Sequence, residues 1–194
     1  LFDEAPGSLF YVDWYPDLNA PARPAQVAGT LGDLWIADGG WGLVRFTNGR
    51  QLPAFPNGPK RANTWSLASG QGVVLVASGA MAGNYTNEFL KEGVHMRRNG
   101  EWTTVDGTTS ALLLNGANSY GAEVNDIVAV AVDPNDPALT WYGSRDDGLI
   151  EVRNGVPTTI YNADNSALGL DILGFEGRCN VGGMDHDAAG NLWM

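Results

Sequence analysis

The sequence predicts an all-β fold: a β-propeller made of four-stranded antiparallel blades, of which this chain supplies part. Two observations carry that prediction. The first is one phrase written three times: Gly42-Leu43-Val44-Arg45-Phe46-Thr47-Asn48-Gly49, Gly93-Val94-His95-Met96-Arg97-Arg98-Asn99-Gly100 and Gly148-Leu149-Ile150-Glu151-Val152-Arg153-Asn154-Gly155. The opening glycines lie 51 and 55 residues apart. Strand-length runs closed by Asn-Gly turns at that period mark a radial array of small sheets, because a four-stranded sheet buries its faces only when neighbours stack on it. The second is a large apolar residue ahead of the phrase. Trp35 and Trp141 stand seven residues before Gly42 and Gly148, Trp193 closes Gly190-Asn191-Leu192-Trp193, and Leu75 takes the slot in the middle copy.

Taken in order, Leu9 to Val12 and Gln26 to Ala28 read as parts of a blade whose beginning is missing. The first full copy has strands at Leu34 to Ala37 and Leu43 to Phe46, with a weak outer strand near Leu52. The second has Val73 to Ala77, Val94 to Arg97 and Trp102 to Val105, but Leu75 precedes Gly93 by 18 residues instead of seven. Eleven residues are therefore inserted within Ala80 to Leu90, and an insertion between paired strands has room only at a sheet end. In the third copy Ile127 to Val132 is the apolar run of an innermost strand. Asp133-Pro134-Asn135-Asp136-Pro137 turns the chain, and Trp141 to Ser144, Leu149 to Val152 and Thr158 to Tyr161 follow, the last after an Asn154-Gly155 hairpin.

The expected units are 1–30, a blade start; 31–64; 65–122, with the insertion at 80–90; 123–180; and 181–194, the start of a further blade. That is nearly four repeats, so a piece of a larger ring of about seven blades is expected, propellers having ~4–8.

With 44% hydrophobic residues, seven Trp, six Tyr and six Phe, the chain supports a substantial core and is not disordered. Ten Pro and 26 Gly suit turns rather than long helices. The net charge of −11 argues against nucleic acid as a partner, and Arg97-Arg98, the densest basic spot, is too small to form a groove. No apolar run approaches ~18 residues, so this segment does not span a membrane as a helix. Cys179 is the single cysteine; it lacks an identifiable base and reads as a small buried apolar group rather than a nucleophile.

Chemistry-bearing patterns are few. Asp185-His186-Asp187-Ala188-Ala189-Gly190 opens like a calcium loop, but alanine at its fifth position makes Asp185 and Asp187 weak cation candidates, and an Asx turn is the expected reading. Asp146-Asp147, beside Arg145 and Glu151, offers paired carboxylates of the kind glycan cleavage uses, yet a turn with its charges in water is expected. Neither His95 nor His186 has a second ligand at metal spacing. No catalytic set, metal or cofactor is predicted. The binding candidates are large rings in irregular segments: Trp41 between glycines, Tyr85 and Phe89 in the insertion, and Tyr120 between blades.

Asp187-Ala188-Ala189-Gly190-Asn191-Leu192-Trp193 resembles the D-x-x-G-x-L-W repeat of the two-component-regulator propellers of Bacteroidetes sensors, as does Gly32 to Asp38 with Gly42-Leu43. Ala131 to Pro137, Gly148 to Val152, Tyr161 to Ser166 and Gly182 to Asp185 come in an order similar to PorZ-like β-propeller proteins of the type IX secretion system. That resemblance covers most of the chain from Val27 onward. It implies an exported protein, in the periplasm or at the outer cell surface, whose propeller is a noncatalytic scaffold and binding module in secretion or surface attachment. Its partner would be a protein or a surface glycan. The sensor relatives imply an alternative, the periplasmic ligand-sensing propeller of a hybrid two-component sensor; a carbohydrate-active enzyme is a third. Leu75 in place of Trp and the insertion depart from the repeat, and Leu1 to Gln26 matches no phrase. Partner contact is expected at Ala80 to Leu90, near Met81, Tyr85 and Phe89 and beside the turn holding Trp41, and a short Asp-Gly turn in its place is expected to leave folding nearly intact.

Overall fold

A computed structural model describes residues 12–30, 32–54, 57–84, 86–117, 122–169 and 178–194. The chain forms two compact units, Leu1–Asn57 and Gly58–Met194. In the first, β1 (Trp14–Tyr15) pairs with β2 (Ala20–Pro21) across a 3-10 turn, and β3 (Pro24–Thr30), β4 (Asp33–Asp38), β5 (Gly42–Thr47) and β6 (Arg50–Ala54) form an antiparallel sheet in sequence order. The second holds a sheet of β7 (Ser66–Gly70), β8 (Val73–Ala77), β9 (Val94–Arg98) and β10 (Glu101–Val105), then the short helix α1 (Ala111–Asn115). It continues with a sheet of β11 (Ile127–Val132), β12 (Leu139–Ser144), β13 (Leu149–Arg153) and β14 (Val156–Tyr161), and a two-stranded hairpin of β15 (Asp185–His186) and β16 (Leu192–Trp193). The protein is thus all-β, with three four-stranded antiparallel sheets of the propeller-blade type.

Local chemistry sets the sheet edges. Asn48-Gly49, Asn99-Gly100 and Asn154-Gly155 all have positive φ at both residues, between 50° and 87°. That is the mirror-image turn whose twist matches a two-residue hairpin, and Asn followed by Gly tolerates it at the least steric cost. The repeat also fixes the register. Trp35, Leu75 and Trp141 each lie between a small residue of the first strand, Ala28, Ala68 or Ala131, and the third residue after the opening glycine, Arg45, Met96 or Glu151.

Equal register does not give equal packing. Leu75 is fully buried, whereas Trp35 is 37% exposed with the Arg45 guanidinium 5.4 Å from its ring centre, and Trp193 is 66% exposed. Trp141 is half-buried, its ring tilted against Tyr161 at 6.3 Å. Of these four residues Leu75 is the one buried in the core, because its face is covered by a neighbouring sheet. Val73, Leu75, Ala77, Val94 and Met96 pack with Val130, Tyr142, Ile150, Val152 and Ile160 of the next sheet, and Leu113 of α1 joins them. Each such side chain contributes roughly 1.5–3 kcal/mol by burial.

Three further differences concern boundaries. Gln26 to Ala28 belongs to β3, which pairs with β4, so the first four-stranded sheet crosses the expected boundary at residue 30. Strand β7 has no sequence signal of its own: Ser66-Leu67-Ala68-Ser69-Gly70 has no apolar run and is a strand through its pairing with β8. Between Asp106 and Glu123, where no helical periodicity marks it, the short helix α1 forms with Ser110 as N-cap, its hydroxyl accepting from Leu113 N at 3.4 Å.

Candidate functional site

The insertion between β8 and β9 is tied to the start of β11. Its root depends on Gly79, whose amide donates to Ile127 O at 2.9 Å; a Cβ there would stand 2.4 Å from that same oxygen, so only glycine admits the approach. The loop then closes on itself through a Met81–Asn87 bridge, an Ala82 N to Thr86 O bond of 2.9 Å, and Asn84 Oδ1, which accepts from the Thr86 hydroxyl at 2.7 Å.

Asp126 completes the attachment. This fully buried carboxylate accepts from Glu88 N at 3.0 Å and Phe89 N at 2.8 Å on one oxygen and from Leu90 N at 3.0 Å on the other. Its own amide donates to Leu90 O at 2.8 Å. Asn125 Oδ1 takes Asn87 Nδ2 at 3.2 Å, and Arg178 donates to Asn87 Oδ1 at 3.4 Å. Phe89 sits at φ +58°, a conformation uncommon for a large side chain, and its ring is 59% exposed. An aromatic residue is thus presented to water by backbone bonds rather than by packing of its own side chain. This network alters one expectation: replacing the whole insertion by Asp-Gly would strip the buried Asp126 of three donors, so such a change costs well beyond loop entropy.

A cleft of about 350 Å³ opens next to Phe89, lined also by three cations, Lys60, Arg61 and Lys91, and three carboxylates, Glu92, Asp106 and Glu123. Lys60 pairs with Asp106 at 3.1 Å and Lys91 with Glu123 at 3.4 Å. In both pairs the carboxylate is the inner partner: the Asp106 and Glu123 side chains are 5% and 20% exposed, the lysines 54% and 52%. Burial pushes the Asp106 carboxyl up, but the Thr108 hydroxyl and amide and the Lys60 ammonium outweigh it and hold it below the usual carboxylate range.

Trp41 belongs to the first unit and is half-buried against Tyr15, Ile36 and Val44. Its amide and that of Gly40 donate to Asp38 Oδ1 at 2.9 and 2.8 Å, while Asp38 Oδ2 accepts from Arg23 N and the Tyr15 hydroxyl. Burial of Asp38 raises its carboxyl, and these four donors more than offset that, leaving it below the ordinary value. Tyr85 and Tyr120 lie outside the described residues.

The other polar candidates are held in structural bonds. Asp187 accepts from Ala189 N, Asn191 N, Asn191 Nδ2 and Trp193 Nε1, each at 2.9 Å, which keeps its carboxyl far below the usual range. Asp185 Oδ1 accepts from His186 N at 2.8 Å. The expectation for Asp146-Asp147 is corrected: both are buried, not in water. Asp147 accepts from Ala117 N at 2.6 Å, Asp146 faces Arg178 Nε at 3.4 Å, and both amides donate to Ser144 Oγ. His95 is buried with Nδ1 3.0 Å from Thr104 Oγ1, and burial lowers its pKa. Cys179 is buried and its thiol is pushed up by burial. Among the described residues no group of three His, Cys, Asp or Glu is placed to hold a metal ion, and no helix is long and apolar enough to cross a membrane.

The residues that sequence reasoning missed are Asp126, Lys60 and Lys91. Asp126 carried one local signal, a carboxylate directly before an apolar run, and its partners are 36 to 38 residues away.

No protein-family profile matches the chain, and no curated protein sequence does. Among solved structures the fold is similar to PorZ, described as an essential bacterial surface component of the type-IX secretion system of Porphyromonas gingivalis. The TM-score is 0.59 at 24% identity, over 86% of this chain and 22% of that one. The chain therefore spans about a fifth of PorZ's length, and the likeness establishes a shared fold.

Proposed function

We propose that this chain is a noncatalytic propeller region of an exported, PorZ-like protein, acting in the periplasm or at the outer cell surface as a scaffold that binds a protein partner in type IX secretion or surface attachment. The observation that carries this reading is the insertion, held by a buried carboxylate so that Phe89 faces water. Preorganised loops with an exposed aromatic anchor suit a protein contact, since little ordering entropy is left to lose on binding. The shared fold with a surface component of that secretion system supports the biological setting. The enzyme reading loses its best carboxylate pair, because Asp146 and Asp147 already serve Arg178 and Ala117.

The test replaces Phe89 by Ser in the full-length protein within its own bacterium. Normal protein abundance with impaired retention of exported proteins at the surface is the expected result. Full function in that strain refutes the reading.

A further inference from the structure

A second cleft, of about 520 Å³, opens where β7, β11 and β15 meet. Leu67, Val132 and Met184 give it apolar walls, and Leu67 is 62% exposed there. Its ionisable lining is Asp185, His186 and Asp187, with no lysine or arginine. Arg98 and Arg153 reach the turn after β11, but they are bonded to Pro137 O at 2.9 Å and to Asp136 Oδ2 at 3.3 Å. Both oxygens of Asp187 are filled by four donors, so it supplies charge without a free acceptor. Next to it the His186 imidazole is only 8% exposed, and its Nε2 has no hydrogen-bond partner. Asp133 Oδ2 stands 3.9 Å from that nitrogen, beyond direct hydrogen-bond reach. A buried polar atom without a partner is costly, and a donor that reaches it is held strongly.

We propose that this cleft binds a small alkylammonium ion, its aliphatic body against Leu67, Val132 and Met184 and its head between His186 and Asp133. An ammonium carries three N–H donors and no acceptor. His186 Nε2 accepts when the neutral ring holds its proton on Nδ1, and Asp133 Oδ2 accepts beside it. Two hydrogen bonds of ~2.8 Å from one nitrogen span a gap of that size. Asp185 and His186 are neighbours in a strand, so their side chains leave it on opposite sides, and Asp185 contributes field rather than a bond. The field favours the same class of ligand: carboxylates without a facing cation, on a molecule whose net charge is −11, draw in a small cation and repel an anion. A divalent metal fits less well, because Asp187 and one oxygen of Asp133 are already occupied by donors.

Isothermal titration calorimetry on the intact protein tests this with hexylammonium, 1-hexanol and hexanoate, at a mildly alkaline pH where free imidazole is neutral. Hexylammonium is expected to bind about 10-fold tighter than 1-hexanol, equivalent to ~1.4 kcal/mol, and hexanoate more weakly than either. Asp133→Asn keeps Oδ1, which accepts from Asn135 N at 2.8 Å and Asp136 N at 2.9 Å, so the turn is preserved while the second acceptor and the charge go. It should weaken hexylammonium roughly 5-fold or more and leave 1-hexanol unchanged. His186→Phe, which removes Nε2 and keeps a planar ring, should do the same. Leu67→Ser should weaken both ligands alike. Glu101→Gln, at an exposed carboxylate on β10, should change neither. Equal binding of hexylammonium and 1-hexanol, no binding of either, or an advantage that survives Asp133→Asn or His186→Phe overturns the proposal. So does an equal loss in Glu101→Gln, which would make the attraction a property of the whole acidic surface, and so does displacement of hexylammonium by an equal concentration of calcium.

Discussion

Replacing Asp126 by Asn isolates the bond set that presents Phe89. Asn tolerates the φ of +43° found at this position about as well as Asp, so the change adds no backbone strain. It keeps one acceptor oxygen and gains an NH2 group. Whichever way the amide turns, one oxygen serves either Glu88 and Phe89 or Leu90, and the NH2 faces a backbone donor on the other side. At least one charge-assisted bond is lost from a fully buried site, worth about 1.5–3 kcal/mol. In hydrogen exchange that is a roughly 10- to 100-fold loss of protection for the amides of residues 88 to 90. Amides of Leu75 and Met96 in the adjoining strands should keep theirs, because their bonds lie within the sheet. Unchanged protection at 88 to 90 would refute the role given to Asp126.

Two other outcomes follow from the same geometry. Leu75→Ala should destabilise by about 2–5 kcal/mol in urea unfolding, as expected for a fully buried leucine between two sheets; a loss below ~1 kcal/mol would mean that the two sheets do not share this core. Because the Asp106 carboxyl is depressed in the folded state, its contribution to stability is complete above the unfolded value near ~3.9 and is lost as pH falls through the folded one. Asp106→Asn should therefore be less stable at neutral pH by ~1 kcal/mol or more and lose less than the wild type on acidification, as read by thermal midpoints across that range.

What the sequence revealed was whatever is decided within a few residues. Asn48-Gly49, Asn99-Gly100 and Asn154-Gly155 announced their turns because both dihedrals are properties of those residues. The fold class followed from their period, and the insertion from a count against it. Burial was less visible. Asp146 and Asp147 look like any solvated turn until Arg178 and Ala117 arrive from 32 and 30 residues away. Trp35 and Leu75 share a register but not a cover, and cover depends on which neighbouring sheet is at hand. The cleft was half legible: a chain with two lysines could be counted, but that they meet beside Phe89 is a property of tertiary structure.

Phe89 is the residue at which we propose that this protein meets its partner. Photo-crosslinking from an unnatural aromatic residue in place of Phe89, in the full-length protein in its native cells, tests it most directly. Val156, 61% exposed on the outer strand β14, is the control position. A discrete protein adduct at 89 that is absent at 156 is expected. An adduct at 156 with none at 89 would contradict that placement.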